Sequence, residues 1–259
     1  MSKIIDAFKG GKAFIPFLTA GDPSADKTVD FILEMEKAGA DLIEIGIPFS
    51  DPTAEGVVIQ DANLRALSAG MTTDGVFEIV RRVREKTSIP LVFLTYLNPV
   101  LHYGYDRFFE KCQEHSVQGI IIPDLPFEEK DEIKEVTKKY GIDIISLIAP
   151  TSEARIQMIA KEASGYIYIV SSMGVTGVRS EIKTDISGIV QSVKEVTSVP
   201  CAIGFGISTT EQAVAMTKDA DGVIVGSAIV KIIQEYGENA DKHLFDYVKS
   251  MKEAVEKNN

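Results

Sequence analysis

The sequence predicts a single-domain (β/α)8 barrel, the TIM-barrel architecture, over residues 1–259. Short apolar segments typical of buried strands alternate with amphipathic helical patterns at intervals of about 25 to 35 residues, as βα units do. Eight such strands can be counted, each followed by a helix, and the chain contains no linker, low-complexity tract or break in composition. A length of 259 residues fits one α/β barrel and does not require a second domain.

The predicted elements follow one another in a regular order. The strands are 13–18, 42–47, 91–96, 119–123, 143–148, 166–170, 201–204 and 222–225. The helices are 24–38, 73–86, 105–115, 128–140, 152–162, 186–197, 209–218 and 241–257. Extra helices are expected at 3–9, where the helix would plug the lower end of the barrel, at 57–68 in the loop after the second strand, and at 228–234 after the eighth.

Two connections that follow strands are unusually long, 48–72 and 171–185. Long loops in compact domains are usually functional, and in this fold the active site is built from loops at the C-terminal ends of the strands. The second loop is rich in small residues and is interpreted as a lid over a ligand, with simple disorder as the alternative.

The composition excludes several classes of partner. A net charge of −11 argues against nucleic acid and against an anionic membrane surface. The two cysteines, Cys112 and Cys201, and the three histidines have no metal-type spacing, so no metal site is expected. No apolar run has membrane-spanning length and no signal peptide is recognised, and cytoplasm is the expected compartment.

Glu44 is the one charged residue in the apolar strand 42–47. Both faces of this strand are otherwise uncharged, which is typical of a parallel sheet that is covered on both sides. A buried carboxylate costs several kcal/mol unless it is paired or used. Catalysis is the favoured interpretation, and a carboxylate paired with a lysine or a hydroxyl for structure alone is the alternative. Burial should raise the pKa of Glu44 and suit it to exchange protons near neutral pH.

Other carboxylates follow strand ends. Glu55 lies in the loop 48–72, where a catalytic role and a solvated charge are equally supported. Asp22 and Asp51 are interpreted as turn or cap residues. Asp124 is held between two prolines, so turn formation and function remain equal alternatives.

Three glycine-rich turns follow the last three strands, at 174–177, 204–208 and 226–228. Glycines allow the backbone to approach a ligand closely, and helix N-termini bind anions. In this fold the last two of these loops commonly hold a phosphate, which is the favoured interpretation over simple tight turns. Near the same strand ends, Phe17, Leu94, Tyr96, Ile148 and Tyr168 could line an apolar and partly aromatic pocket suited to a flat ring. Plain core packing is the alternative for each, and it is stronger for Leu94 and Ile148 than for Tyr168.

The chain resembles the tryptophan synthase α subunit from end to end. The resemblance rests on the motifs at 14–23 (FIPFLTAGDP), 44–52 (EIGIPFSDP), 59–63 (IQDAN), 123–126 (PDLP), 174–177 (GVTG), 204–208 (GFGIS) and 226–231 (GSAIVK). That family is a (β/α)8 barrel that splits indole-3-glycerol phosphate into indole and D-glyceraldehyde 3-phosphate by a retro-aldol reaction. The resemblance implies no metal or cofactor in this chain. It also implies a β-subunit partner that carries pyridoxal phosphate, receives the indole and forms an α2β2 tetramer.

The resemblance also implies roles for individual residues. Glu44 would be the acid and base of the reaction, and Glu55 would bind the indole N–H. The remaining positions fall into three groups: the indole pocket with Phe17, Leu94 and Tyr168; the phosphate site with Thr176, Gly177, Phe205, Gly206, Gly226 and Ser227; and the partner interface with Asp51, Pro52 and Asn98.

The sequence departs from the family pattern around the second loop. Glu55 replaces a typical aspartate and adds a methylene, while Thr53 and Val57 replace a common aliphatic residue and a common proline. A second hypothesis is therefore a weakly catalytic subunit that mainly activates its partner. A different phosphate-binding barrel, such as an indole-glycerol-phosphate synthase or a phosphosugar isomerase, is disfavoured because no strand-end lysine of the kind such a synthase uses is present.

The predicted lid also departs from the family pattern, because Ser172 replaces a basic residue that is often found at the start of the lid.

Overall fold

The computed structural model describes residues 3–170, 185–204 and 206–257, which form a ring of parallel strands surrounded by helices. The strands are β1 Ala13–Thr19, β2 Ile43–Gly46, β3 Leu91–Leu94, β4 Gly119–Ile121, β5 Asp143–Ile144, β6 Ser146–Ile148, β7 Ile167–Val170, β8 Cys201–Gly204 and β9 Gly222–Val225. Their order in the sheet is β5-β4-β3-β2-β1-β9-β8-β7-β6, and all neighbours are parallel. The predicted (β/α)8 barrel is confirmed.

The ring closes through a single residue. β5 and β6 lie at the two ends of the sheet order, yet only Ile145 separates them along the chain. The backbone N–H of Ile145 donates to the carbonyl of Ile120 on β4 at 2.9 Å, and the next residue, Ser146, is in register with Ile167 on β7. The predicted fifth strand therefore changes partners at Ile145, and its two short halves connect the two edges of the sheet.

The helices are α1 Ala25–Lys37, α2 Val57–Ser68, α3 Thr73–Arg84, α4 Leu97–Tyr103, α5 Tyr105–Glu114, α6 Asp131–Tyr140, α7 Glu153–Lys161, α8 Ile186–Lys194, α9 Thr210–Thr217, α10 Ser227–Tyr236 and α11 Asp241–Glu256. The predicted caps Ser24, Ser152 and Thr209 each accept a hydrogen bond from the first turn of their helix. The short helix α4 was not predicted, because its seven residues include a proline and show no clear periodicity.

The barrel interior and the outer shell are separate apolar clusters. Ile15, Val92, Ile121 and Tyr166 belong to the interior cluster, because alternate residues of each strand point inward. The N-terminal segment Lys3–Phe8 is a 3-10 helix whose Ile4 is fully buried in the same interior cluster. It plugs one end of the barrel, as predicted.

The outer shell packs the other strand faces against the helices, and it contains Ile148. The prediction that Ile148 lines the ligand pocket is therefore wrong. Ile145 and Leu147 face the interior cluster, so the alternation along the strand turns Ile148 outward. Among the helices in the described ranges, none is both long and apolar enough to cross a bilayer.

Candidate active site

Glu44 lies in the middle of β2, in register with Phe17 on β1 and Val92 on β3. Its side chain is 1% exposed, and its Oε1 accepts a 2.5 Å hydrogen bond from the hydroxyl of Tyr166, which belongs to the interior cluster. Glu44 therefore points into the ring of strands. The hydroxyl partner that the structural alternative required is therefore present.

Burial dominates the proton affinity of Glu44. Desolvation raises its pKa from 4.5 to about 8, although the hydrogen bond from Tyr166 acts in the opposite direction. Burial and the neighbouring Glu44 carboxyl also raise the pKa of the Tyr166 hydroxyl well above its usual value. A carboxyl group with this pKa is protonated near neutral pH and loses its proton a little above it, which is the behaviour that an acid–base group requires.

Glu55 is buried, unlike a solvated loop charge. Its side chain is 6% exposed, and its Oε2 accepts a 2.6 Å hydrogen bond from Nδ2 of Asn63 on α2. The Tyr96 hydroxyl also hydrogen-bonds the carboxylate and accepts the backbone N–H of Ala54 at 3.1 Å. Desolvation raises the pKa of Glu55 from 4.5 to about 7, with the bonds from Asn63 and Tyr96 lowering it.

Aromatic rings at the C-terminal ends of the strands lie against glycines. A Cβ on Gly46 would lie 2.7 Å from Cζ of Phe17, and a Cβ on Gly204 would lie 2.2 Å from the hydroxyl of Tyr168. Any larger residue at either glycine would displace a ring. Phe17 also packs with α2 and α10 in a small cluster whose other members are Ile59, Ala62 and Val230, with Leu94 beside it.

The described part of the glycine-rich turns lies at the ends of β8 and β9. Gly206 has a φ of 82°, which favours glycine, and Gly226 is the N-cap of α10, with Ser227 as its first residue. The Val230 N–H donates to the Gly226 carbonyl, and the amides before it in the first turn have no partner within the helix, so they are available to an anion. Thr176, Gly177 and Phe205, and nearly all of the predicted lid, lie outside the described residues.

Two carboxylates have partners that local sequence did not indicate. Asp22 lies in the turn after β1, as predicted, where its backbone N–H donates to the Thr19 carbonyl. Its buried carboxylate also accepts two hydrogen bonds from Arg65 on α2, at 2.8 and 2.7 Å. Asp124 accepts the backbone N–H of Leu97 at 3.0 Å and so caps α4 from a different loop. Asn63, Arg65 and Tyr166 were missed. The one feature of the local sequence that could have indicated these residues is that each places a polar group in an otherwise apolar stretch of a helix or strand.

The loops around the barrel mouth expose apolar side chains. Asp51 and Asn98 are exposed and Pro52 is half-buried. Among large hydrophobic side chains in the described ranges, the three most exposed are Val57 and Leu64 on α2 and Leu101 on α4, at 70%, 55% and 55%. In the same ranges, no group of three or more metal-binding side chains is arranged to hold an ion.

The fold and this site define a (β/α)8-barrel protein whose interior holds a buried carboxyl group with a raised pKa, with a second buried carboxyl group in the loop after the same strand. The chain belongs to the tryptophan synthase alpha chain family, whose model matches residues 6–258.

Relatives of this family cover nearly the whole chain. The tryptophan synthase alpha chain of Lacticaseibacillus casei is 52% identical over 256 residues, covering 99% of this chain and 96% of that protein. The crystal structure of the tryptophan synthase alpha chain from Legionella pneumophila subsp. pneumophila has a TM-score of 0.88 at 36% identity and covers 98% of this chain and 97% of that chain. A chain of the tryptophan synthase α2β2 complex from Pyrococcus furiosus has a TM-score of 0.84 at 36% identity and covers 93% of this chain and 98% of that chain.

Proposed function

We propose that this protein is a lyase that cleaves indole-3-glycerol phosphate to indole and D-glyceraldehyde 3-phosphate, the step that supplies indole for tryptophan synthesis. The observation that carries this proposal is Glu44, a carboxyl group inside the barrel with a pKa of about 8. Such a group is protonated near neutral pH and can therefore act first as an acid and then as a base. Membership of the tryptophan synthase alpha chain family supports the choice of substrate.

A single carboxyl group is sufficient for the proton transfers. Protonated Glu44 donates its proton to the indole carbon that carries the glycerol chain, and the carbon–carbon bond to that chain breaks. The resulting Glu44 carboxylate takes the proton from the adjacent hydroxyl, whose oxygen becomes the aldehyde oxygen of the product. The proton is thus returned to Glu44 and no other reactant is consumed.

Glu55 and the aromatic residues would hold the indole ring. A carboxylate at Glu55 accepts the indole N–H and stabilises the positive charge that develops on the ring when its carbon is protonated. Phe17, Leu94 and Tyr168 supply the apolar walls at the barrel mouth. Tyr96 contributes through its ring and through its hydrogen bond to Glu55.

The phosphate would bind to backbone amides at the ends of β8 and β9. Gly206 lies in the turn after β8, and Gly226 and Ser227 start α10, so their amides and the helix dipole favour an anion despite a net charge of −11. Thr176, Gly177 and Phe205 are assigned to the same site on the resemblance alone.

We assign the exposed loops at the barrel mouth to a β-subunit partner in an α2β2 tetramer. Asp51 and Pro52 lie in the connection that leads to the exposed Val57 and Leu64 of α2, and Asn98 lies with the exposed Leu101 on α4. Exposed large apolar side chains near these residues support a protein interface. The related P. furiosus structure is of an α2β2 complex. Pyridoxal phosphate would belong to the partner, and this chain would need no cofactor. Cys112 and Cys201 are buried free thiols, which agrees with the cytoplasm as the compartment.

The test is indole release by Glu44→Gln. We expect the variant to fold and to bind glycerol 3-phosphate as the wild type does, but to release indole more than a hundredfold more slowly, because glutamine cannot exchange the proton. Asp61→Asn on α2 is a matched carboxyl-to-amide control and should keep full activity. Turnover by Glu44→Gln within a few-fold of wild type would reject the assignment.

A second function is favoured by the glutamate at position 55, which is longer than the family's usual aspartate. In this alternative the chain is a weak catalyst that mainly activates its β partner. Indole release should be measured with and without the partner, together with the partner's own rate of tryptophan synthesis. Fast cleavage by the isolated chain with no effect on the partner would exclude the alternative.

A further inference from the structure

The buried amide of Asn63 lies against the carboxylate of Glu55, and no role in the reaction is yet assigned to it. We propose that Asn63 is a positioning residue that fixes the Glu55 carboxylate in the orientation that accepts the indole N–H. The inference rests on the proposed function, because Glu55 is taken to be the group that binds the indole nitrogen. Asn63 itself need not touch the substrate.

The contact is short, buried and specific. Nδ2 of Asn63 donates to Oε2 of Glu55 at 2.6 Å, and Asn63 is 3% exposed. An amide can donate to a carboxylate without adding a charge, so it orients Glu55 while leaving the carboxylate free to interact with a ring cation. The bond also lowers the pKa of Glu55, against the larger effect of burial. Asn63 therefore favours the ionised form that the indole N–H requires.

Helix α2 donates hydrogen bonds to both the side chain and the backbone of Glu55. While Asn63 binds the carboxylate, Nε2 of Gln60 donates to the backbone carbonyl of Glu55 at 2.7 Å. Glutamate has one more rotatable bond than aspartate, so its carboxylate has more orientations to restrict. Two donors from one helix, together with the Tyr96 hydroxyl, restrict that freedom.

The helix is in turn fixed to the barrel, so Asn63 has a defined position. Ile59 and Ala62 of α2 pack against Phe17 of β1. One turn further along, Arg65 makes two hydrogen bonds to Asp22, whose side chain is 2% exposed. The buried carboxylate of Asp22, in the loop after β1, thus anchors through Arg65 the helix that carries Asn63.

The first test is Asn63→Leu, which has the same branched heavy-atom skeleton, is somewhat larger and has no donor, with Asp61→Asn as the control on the same helix. We expect kcat/KM for indole-3-glycerol phosphate to fall by about ten- to a hundredfold, because a buried hydrogen bond to a charged group is lost. The limb of the pH profile that reports Glu55 ionisation should move to higher pH. A structural role alone would lower the thermal midpoint and leave that limb unchanged. An unshifted limb with kcat/KM within twofold of wild type would overturn the proposal.

The second test is a double-mutant cycle on the two side chains. Glu55→Gln and Asn63→Leu should each be slow, and the double variant should be little slower than Glu55→Gln alone, because Asn63 acts only through the Glu55 carboxylate. Additive losses in the double variant would contradict a positioning contact. If the wild type itself releases no indole, the proposed function fails. If the wild type does release indole, but the first test leaves the rate unaltered and the second gives additive losses, only the role of Asn63 fails.

Discussion

The hydroxyl of Tyr166 donates a 2.5 Å hydrogen bond to Oε1 of Glu44 across the barrel interior, between residues 122 positions apart in the sequence. The bond favours the ionised carboxylate and burial opposes it, and burial has the larger effect, so the pKa of Glu44 rises to about 8. The pKa of Glu44 is therefore determined by the balance between desolvation and the hydrogen bond from Tyr166.

Tyr166→Phe should raise the pKa of Glu44 above about 8, because it removes the one side-chain hydrogen bond that lowers it in the described part of the protein. Loss of a single hydrogen bond to a carboxylate is worth roughly one pKa unit. The measurement is titration of Glu44 by NMR of protein with labelled glutamate, without ligand. Tyr103→Phe, which removes a hydroxyl that bonds Asp74 instead, is the control and should leave the Glu44 titration unchanged. A lower pKa in Tyr166→Phe would contradict this account.

The rate of indole release should have a narrow optimum between about pH 7 and about pH 8. Glu55 must be ionised to accept the indole N–H, so kcat/KM rises as pH passes the Glu55 pKa of about 7. Glu44 must be protonated to donate, so kcat/KM falls as pH passes its pKa of about 8. Glu55→Gln should have a low rate and should lose the acidic limb while keeping the basic one. A profile that is flat on both sides of neutrality would exclude these two groups as the titrating pair.

Glu44→Gln should stabilise the folded protein at alkaline pH and have little effect in acid. Because the pKa of Glu44 is about 8 when folded and close to 4.5 when unfolded, the folded state keeps a proton that the unfolded state releases. The Glu44 contribution to the free energy of unfolding is therefore lost progressively as pH rises from about 4.5 to about 8, at about 1.4 kcal/mol per unit. Urea denaturation of both proteins at about pH 5 and about pH 8 measures the difference. A gain of equal size at both pH values would mean that ionisation is not its cause.

Gly204→Ala should disturb the aromatic wall of the site. An added Cβ would lie 2.2 Å from the Tyr168 hydroxyl, so the ring must move, and overpacking of this kind costs about 1–3 kcal/mol. We expect a lower thermal midpoint and a raised KM for indole-3-glycerol phosphate. Gly10→Ala, where nothing lies within 4 Å of the added Cβ, is the matched control and should leave the KM at the wild-type value. Normal KM and stability in Gly204→Ala would show that Tyr168 is free to move aside.

Most of the fold was predictable because the hydrophobic periodicity that distinguishes strands from helices is set by residues that are close in the sequence. The eight βα units and the helices outside the repeat at 3–9 and 57–68 all correspond to observed elements. The partner exchange at Ile145 was not predictable, because a strand's own pattern does not say which neighbour each half pairs with. The error at Ile148 has the same origin, since its facing follows from Ile145 and Leu147 turning inward.

The sequence by itself determined that a lone carboxylate, Glu44, lies in a strand with no water-facing side, and that long and glycine-rich loops follow the strands. These features are local and need no knowledge of the fold. Only the tertiary structure decided that Tyr166 reaches Glu44, that Asn63 holds Glu55 and that Arg65 pairs with Asp22. The physical reason is that the pKa and the partners of a buried carboxylate depend on how far water is excluded and on donors that other strands and helices supply. Closure of the barrel brings Tyr166 to Glu44, and the packing of α2 against β1 brings Asn63 and Arg65 to their carboxylates.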